Sequence, residues 1–470
     1  MMSMIGNNFR STILLIIFWM GFTGSFSVLA QPVNDQLNNL RDQATDWQYG
    51  YAPEHPVMLG GFQDNNLTMS KRLALYLQWL SPIQEYMFAD VVNTPIRWRR
   101  VGSCCPFKTS NGILDSGLLD IYEIKFGSGR PVRLFVNHYD QGKLSAPKGF
   151  YLHQSTNWLQ LWRTALQAYQ KSSWKSAINE LQKLANQPGG MAEYLIGISY
   201  FNLNDLSESQ SWFEKAAQLG HPEAMTDIAI QSLREGNPSE REAAYQQLVK
   251  AANLGSSWAR LNAARNTVPE NGVLTREGWL QALIWLYQAT EQGEPEAPIL
   301  AAHLLYQEIH NPIYLKLHDP DEVMILLNIA LLKDPSSAKI KDLIKEYSQN
   351  LPLGNSVDFV AQAKEWSSTY RMPDYVIERY VQAISGNSAA QYAYGLDLRV
   401  GLVVPQSPEK SLAFILAACR QQHESAVRFV QQFIGMDCWL SGEDIQHITD
   451  KNKQKTTEQA LKILQTWSSK

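Results

Sequence analysis

Cys104 and Cys105 stand side by side in the stretch RWRRVGSCCPFKTSNG, residues 97–112, and Pro106 follows at once. The chain holds only four cysteines. A cysteine nucleophile needs a thiolate held by a base or a positive charge. Arg99, Arg100 and Lys108 flank the pair, and His138 could serve as the base. Polar residues of the two expected strands downstream complete a candidate functional cluster: Cys104, Cys105, Lys108, Asp120, Glu123, His138, Asp140 and Lys148. A structural zinc site needs about four converging Cys, His or carboxylate ligands, usually with two to four residues between paired cysteines, and adjacent cysteines depart from that pattern. His138 and Asp140 are alternate residues on an expected strand and would share one face. No spacing in the cluster matches a catalytic pattern, so no catalytic residue, metal ligand or cofactor is assigned. Ordinary sheet-edge charges and turn residues are the competing reading, and Asp140-Gln141-Gly142-Lys143 has the composition of a turn. There is no nucleophile elbow, phosphate-cradling loop or dinucleotide fingerprint in the chain.

The state of the cysteines follows from geometry. Consecutive Cα atoms lie about 3.8 Å apart, whereas disulfides ordinarily span about 4.4–6.8 Å. A bridge between neighbours is therefore strained, and a regular strand sends their side chains to opposite faces. The expectation is a pair of thiols, one in the sheet core and one near the surface, with a strained vicinal disulfide as the alternative. Cys419 should end one helix and residues 421–435 should form the next. That helix would carry the chain roughly 18–20 Å away, so Cys419 and Cys438 are expected as separate, mostly buried thiols.

These groups must be positioned by the elements around them. Residues 1–30 carry a single charge at Arg10, an apolar run ILLIIFWMGF and small residues near Ala30. That is the layout of a secretory signal peptide cleaved after Ala30, with an uncleaved inner-membrane anchor as the alternative. The expected mature chain is periplasmic or secreted, with no stable membrane span. Residues 31–46 read as a flexible leader. Acidic and basic residues are interspersed at a formal net charge of −4, with no basic stripe for a nucleic-acid partner.

Residues 47–154 read as a small α+β domain. TMSKRLALYLQWL, residues 68–80, has helical spacing, with Thr68 or Ser70 as its cap. LLDIYEIKF and PVRLFVNHY, residues 118–126 and 131–139, alternate around a Gly-Ser-Gly turn and predict an antiparallel hairpin. TPIRWRRVGSCC predicts another strand of the same sheet. From residue 155 to 470 strand signals vanish and helical periodicity takes over. KAAQLGHPEA at Lys215 is answered by KAANLGSSWA at Lys250, a shift of 35, and loosely by QATEQGEPEA at Gln288. A period in the mid-thirties predicts stacked helix hairpins that bury each other's apolar faces. The repeats are clearest over 192–297, degenerate over 298–385 and repeat-like again over 386–433. Gly220 and Gly255 fall just past helix ends, where a left-handed backbone is wanted. The fold class is thus an α+β N-terminal domain followed by an all-α helical-hairpin solenoid, with contact between the two across a short link.

With those residues in view, GISYFN…WFEKAAQLGHPEA resembles the Sel-one-like repeat, a subclass of tetratricopeptide-like hairpins. The usual Gly-x-Gly-Val turn is replaced by NLNDLSES at residues 202–209, so the first inter-helix turn should differ in geometry. The resemblance implies a scaffold or adaptor that grips a protein or peptide, with no shared catalytic residues. The segment around GSCCPFKTSNG and VRLFVNHYDQGKLSAPKGF is similar to an uncharacterised domain of bacterial exported and lipid-anchored proteins. The resulting expectation is an exported interaction scaffold whose partner is a protein or peptide of the cell envelope. The alternatives are an envelope enzyme with its chemistry in the N-terminal domain, or a glycan- or peptidoglycan-binding module using Trp98, Tyr139 or Tyr151.

Overall fold

Alternation in SGLLDIYEIK and VRLFVN sends successive side chains to opposite faces of a sheet, and both faces are covered along β5 and the adjoining half of β4. The computed structural model describes residues 48–60, 72–74, 76–77, 80–82, 96–126, 130–140, 142, 144–147, 150–152, 158–186, 189–267, 275–353 and 357–468. The expected signal peptide, leader, first helical residues, Gly-Ser-Gly turn and Lys148 lie outside the described residues. Four strands form one sheet: β1 (Val57–Met58), β3 (Arg97–Ile113), β4 (Ser116–Lys125) and β5 (Val132–Asn137), in the order β1-β5-β4-β3. β1 runs parallel to β5, and the other pairs are antiparallel. A separate pair joins β2 (Leu80–Pro82) to β6 (Phe150–Leu152).

The hairpin of β4 and β5 has the predicted antiparallel pairing, with Asp120 opposite Val136 and Tyr122 opposite Leu134. β3 is longer than its sequence signal. It passes through Cys104, Cys105 and Pro106 and ends only at Ile113. The register against β4 shifts at three places, with a bulge at Val101, another at Cys105 and a further irregularity between Lys108 and Ile113. Cys105 has φ +56°, in the left-handed region. Pro106 lacks a donor, and it is tolerated because β3 lies at the end of the strand order. Leu114 and Asp115, both at positive φ, reverse the chain into β4.

Ile121, Leu119 and Phe135 sit on one face of the sheet and belong to the same apolar core as the helices. The chain reaches those helices after residue 157, and among the described residues every further regular element to Ser468 is a helix. Four of the helix ends share one device. At Asn204, Gly220, Gly255 and Gly293 a left-handed residue ends a helix, with φ between +62° and +106°. The next backbone N–H then reaches five residues back: Asp205 to Tyr200, His221 to Ala216, Ser256 to Ala251 and Glu294 to Ala289. The predicted roles of Gly220 and Gly255 are those observed. The altered turn at residues 202–209 is built on Asn204, and Asp205 caps the helix Leu206–Gln218.

Close approach inside hairpins depends on two glycines. A Cβ on Gly197 would meet the Phe213 ring at 2.7 Å, and one on Gly395 would meet Ile415 at 2.7 Å. The carbonyls of the same glycines accept from Ser209 and Ser411 across the hairpin, at 2.9 and 2.6 Å. The hairpin Ser388–Val400 with Pro408–Arg420 therefore repeats the first one, as the sequence echo implied.

The helices do not form one open array. The segment 374–468 returns onto 257–322: Arg260 pairs with Asp374, Arg276 donates to the Ser385 carbonyl, and the Leu317 amide donates to Ile384. His318 N–H donates to the Trp467 carbonyl, and Lys410 pairs with Asp319 at 3.1 Å.

Candidate functional site

All four cysteines are in disulfides, which corrects the expectation of thiols: Cys104 is bonded to Cys105, and Cys419 to Cys438. The second bridge does not need a broken helix. The helix Glu424–Ile434 is intact and rises about 16 Å. Gly435, at φ +81°, ends it, and the chain then places the Cys438 Cα 5.4 Å from that of Cys419. In the first pair, both side chains are half-buried rather than one in and one out. The bulge removes the alternation that a regular strand would impose.

A bonded sulfur offers no thiolate, so in this state neither Cys104 nor Cys105 is a nucleophile or a metal ligand. Among the described residues no three His, Cys, Asp or Glu converge on a point where a metal ion would fit. The remaining cluster residues separate into distinct networks. Asp120 lies opposite Ser103 across β3 and β4. Its Oδ1 accepts from Arg100 Nη2 at 2.7 Å and Ser103 Oγ at 2.9 Å, and its Oδ2 accepts from the Tyr122 hydroxyl at 3.3 Å. His138 Nε2 stands 3.2 Å from that hydroxyl and 3.8 Å from Asp120 Oδ2. Burial raises the Asp120 carboxyl, and the bonds from Arg100 and Ser103 more than reverse it, leaving it below the ordinary value. Burial also pushes Tyr122 up to about 12 and holds His138 below its usual value, against the pull of Asp120.

Asp140 belongs to another network. β5 ends at Asn137, so His138 and Asp140 do not share a strand face. Asp140 accepts from the Thr109 hydroxyl and from the side-chain amides of Asn111 and Asn137, both at 3.1 Å. The Thr109 bond is the main cause of its lowered pKa. Glu123 bridges Arg99 and Arg133 on the opposite face. Lys108 is exposed and pairs in register with Ser116. Two of the aromatics considered for sugar stacking are half-buried and engaged edge-on, Trp98 with Tyr122 and Tyr139 with Phe107, each at 5.8 Å.

Residues that sequence reasoning passed over carry charged contacts between sheet and helices. Arg130 Nη1 donates to Glu291 at 2.9 Å, its other nitrogens reach the carbonyls of Thr369 and Tyr370, and its guanidinium lies 3.9 Å over Trp366. Arg133 stacks 3.6 Å over Tyr370 and donates to the carbonyls of Gly401 and Leu402. Glu291 also accepts from Trp366 Nε1 and from the Met372 amide. A strand arginine looks like a solvated sheet charge until the tertiary contact is known, and no local signal marks it otherwise.

The arrangement holds strands in register and fixes the sheet to the helical region. Among the described residues no helix is long and apolar enough to cross a membrane. No protein-family model matches the sequence, and no curated protein matches it. Among solved structures, the chain is similar to a Sel1 repeat protein from Oxalobacter formigenes at 18% identity, covering 58% of this chain and 89% of that one, with a TM-score of 0.26. It is also similar to a protective antigen of uropathogenic Escherichia coli strains that displays an SLR fold. There the identity is 14%, the coverage 66% of this chain and 76% of the other, and the TM-score 0.26.

Proposed function

We propose that this chain is an exported scaffold that holds a protein or peptide of the cell envelope on its helical-repeat surface. The observation that carries the reading is the series of helix hairpins, with one left-handed cap recurring at Asn204, Gly220, Gly255 and Gly293, a form whose stacked units offer an extended binding surface. Around the first inter-helix turn, Phe201, Leu203 and Leu206 are left 41%, 37% and 60% exposed. Apolar side chains gathered at one turn are the kind of feature that marks a contact surface. The extracytoplasmic setting is supported by the cysteine pairing, because structural disulfides persist in oxidising compartments and are rare in the cytosol. The expected signal peptide agrees with that setting.

Two measurements test the reading. A photo-cross-linking residue at position 206 of the full chain should capture one discrete envelope protein, and Leu203→Ser should abolish the adduct. No adduct, or one indifferent to Leu203→Ser, would remove this surface from the proposal. The mass of the protein recovered from cells should correspond to a chain beginning at Gln31. A full-length cytosolic product would remove the export.

A further inference from the structure

The chain contains two disulfides in opposite settings. Cys419 and Cys438 are 0% and 5% exposed, and their Cα separation of 5.4 Å lies within the ordinary span. Cys104 and Cys105 are half-buried on the last strand of the sheet order, with Cα atoms 3.7 Å apart, closer than disulfides usually allow. Cys105 is also held at φ +56°, a conformation that L residues rarely take outside special sites. A bridge that is both reachable and held against its backbone preference is the kind that exchanges readily with thiols.

The position of the bridge gives the exchange a structural consequence. Arg100 shares a sheet face with Tyr122, and Gly102 with Ile121 on the other face. The bulge at Val101 therefore inverts the alternation along β3. The bulge at Cys105 inverts it again, so that Phe107 returns to the face of Cys104 and Pro106 takes the face of Ser103. Beyond that point Thr109 is buried against Asp140, and Phe107 meets Tyr139 edge-on. The placement of residues 106–108, and through them of the irregular stretch that follows to Ile113, thus follows from the left-handed residue that the bridge joins.

We propose that Cys104–Cys105 is a reversible thiol–disulfide switch that sets the register of the outer half of β3. A thiolate from a small thiol or a dithiol protein attacks one sulfur and breaks the Cys–Cys bond, forming a mixed disulfide and releasing the other cysteine as a thiolate. A second reductant thiolate then attacks the mixed disulfide. It leaves as an oxidised reductant, the attacked cysteine is released, and both cysteines take up protons to become thiols. Two electrons pass from the reductant pair to the protein. With the link gone, Cys105 is free to return to extended φ, and residues 106–113 lose their fixed facing.

The test uses the full chain, equilibrated in graded mixtures of reduced and oxidised glutathione, quenched in acid, alkylated and mapped by peptide mass. Cys104 and Cys105 should become labelled together at a thiol-to-disulfide ratio at least about tenfold lower than Cys419 and Cys438. Restoring the oxidising mixture should close the bond again. Hydrogen exchange on the same samples should rise over residues 106–113 on reduction. It should rise equally in the variant Cys104→Ser with Cys105→Ser, while the helices stay protected. Reduction of both bridges at one ratio, or of the first only on global unfolding, would overturn the proposal. So would a bond that opens and leaves exchange over 106–113 unchanged.

Discussion

Replacing Arg130 by alanine asks whether the sheet is locked to the helices by the contacts at Glu291. The two side chains are 12% and 6% exposed, so the pair is largely shielded from water. Removing one partner of a buried pair costs about 3–5 kcal/mol, because the other charge is stranded. Two effects modify that range. Glu291 keeps the Trp366 indole at 2.6 Å and the Met372 amide at 2.8 Å, which lowers the cost. The stacking of the guanidinium on Trp366 is lost, which adds about 0.5–2 kcal/mol. A net loss of about 3 kcal/mol is expected for Arg130→Ala. Glu291→Gln keeps an acceptor and should cost about 2 kcal/mol. The double variant should be less destabilised than the sum of the singles by at least about 1 kcal/mol, since residues in one network couple. Urea unfolding followed by tryptophan fluorescence gives all four stabilities, with Trp366 as a reporter at the contact. Additivity to within about 0.5 kcal/mol would refute the lock, because it is the signature of independent sites.

Three further outcomes follow from the packing and the charges. Gly395→Ala should destabilise by about 1–2 kcal/mol, overpacking against Ile415 outweighing the helix propensity gained, whereas Gly442→Ala, which meets nothing within 4 Å, should be neutral or slightly stabilising; denaturation midpoints decide. Ala252→Trp should cost about 1–3 kcal/mol at a position 1% exposed, and Ala217→Trp less at its half-buried counterpart; equal melting temperatures for both variants and wild type would contradict the repeat register. His221 is fully buried, and burial pushes its pKa from 6.5 down to about 3. The unfolded chain therefore binds a proton that the folded chain refuses, so the contribution of His221 is complete above pH 6.5 and is lost as pH falls towards about 3. The slope is at most about 1.4 kcal/mol per pH unit. His221→Asn, which retains a capping acceptor, should flatten that slope, and an unchanged acid profile would argue against it.

Much of the architecture is local and could be read before any coordinates were known. Alternation marked the β4 and β5 hairpin because a period of two is a property of the strand itself. The Lys-Ala-Ala…Gly repeat marked the hairpin ends because a left-handed residue after a helix is a demand of a few adjacent bonds. The candidate cluster was only partly legible. Asp120, His138 and Asp140 are engaged polar residues, but their division between Arg100–Ser103–Tyr122 and Thr109–Asn111–Asn137 follows from the register shifts along β3. A bulge moves every later side chain to the other face, and nothing at Asp120 or Asp140 announces it. The disulfides depended on the same class of information. Whether Cys419 meets Cys438 is set by the path of the chain after Gly435, and the bond between the neighbouring cysteines goes together with a left-handed backbone at Cys105 that no sequence pattern marks. The arginines that hold sheet to helices are the limiting case. Their partners in the helical region lie 161 to 269 residues away in sequence, so only the assembled chain could show that Arg130 and Arg133 are joints rather than surface charges.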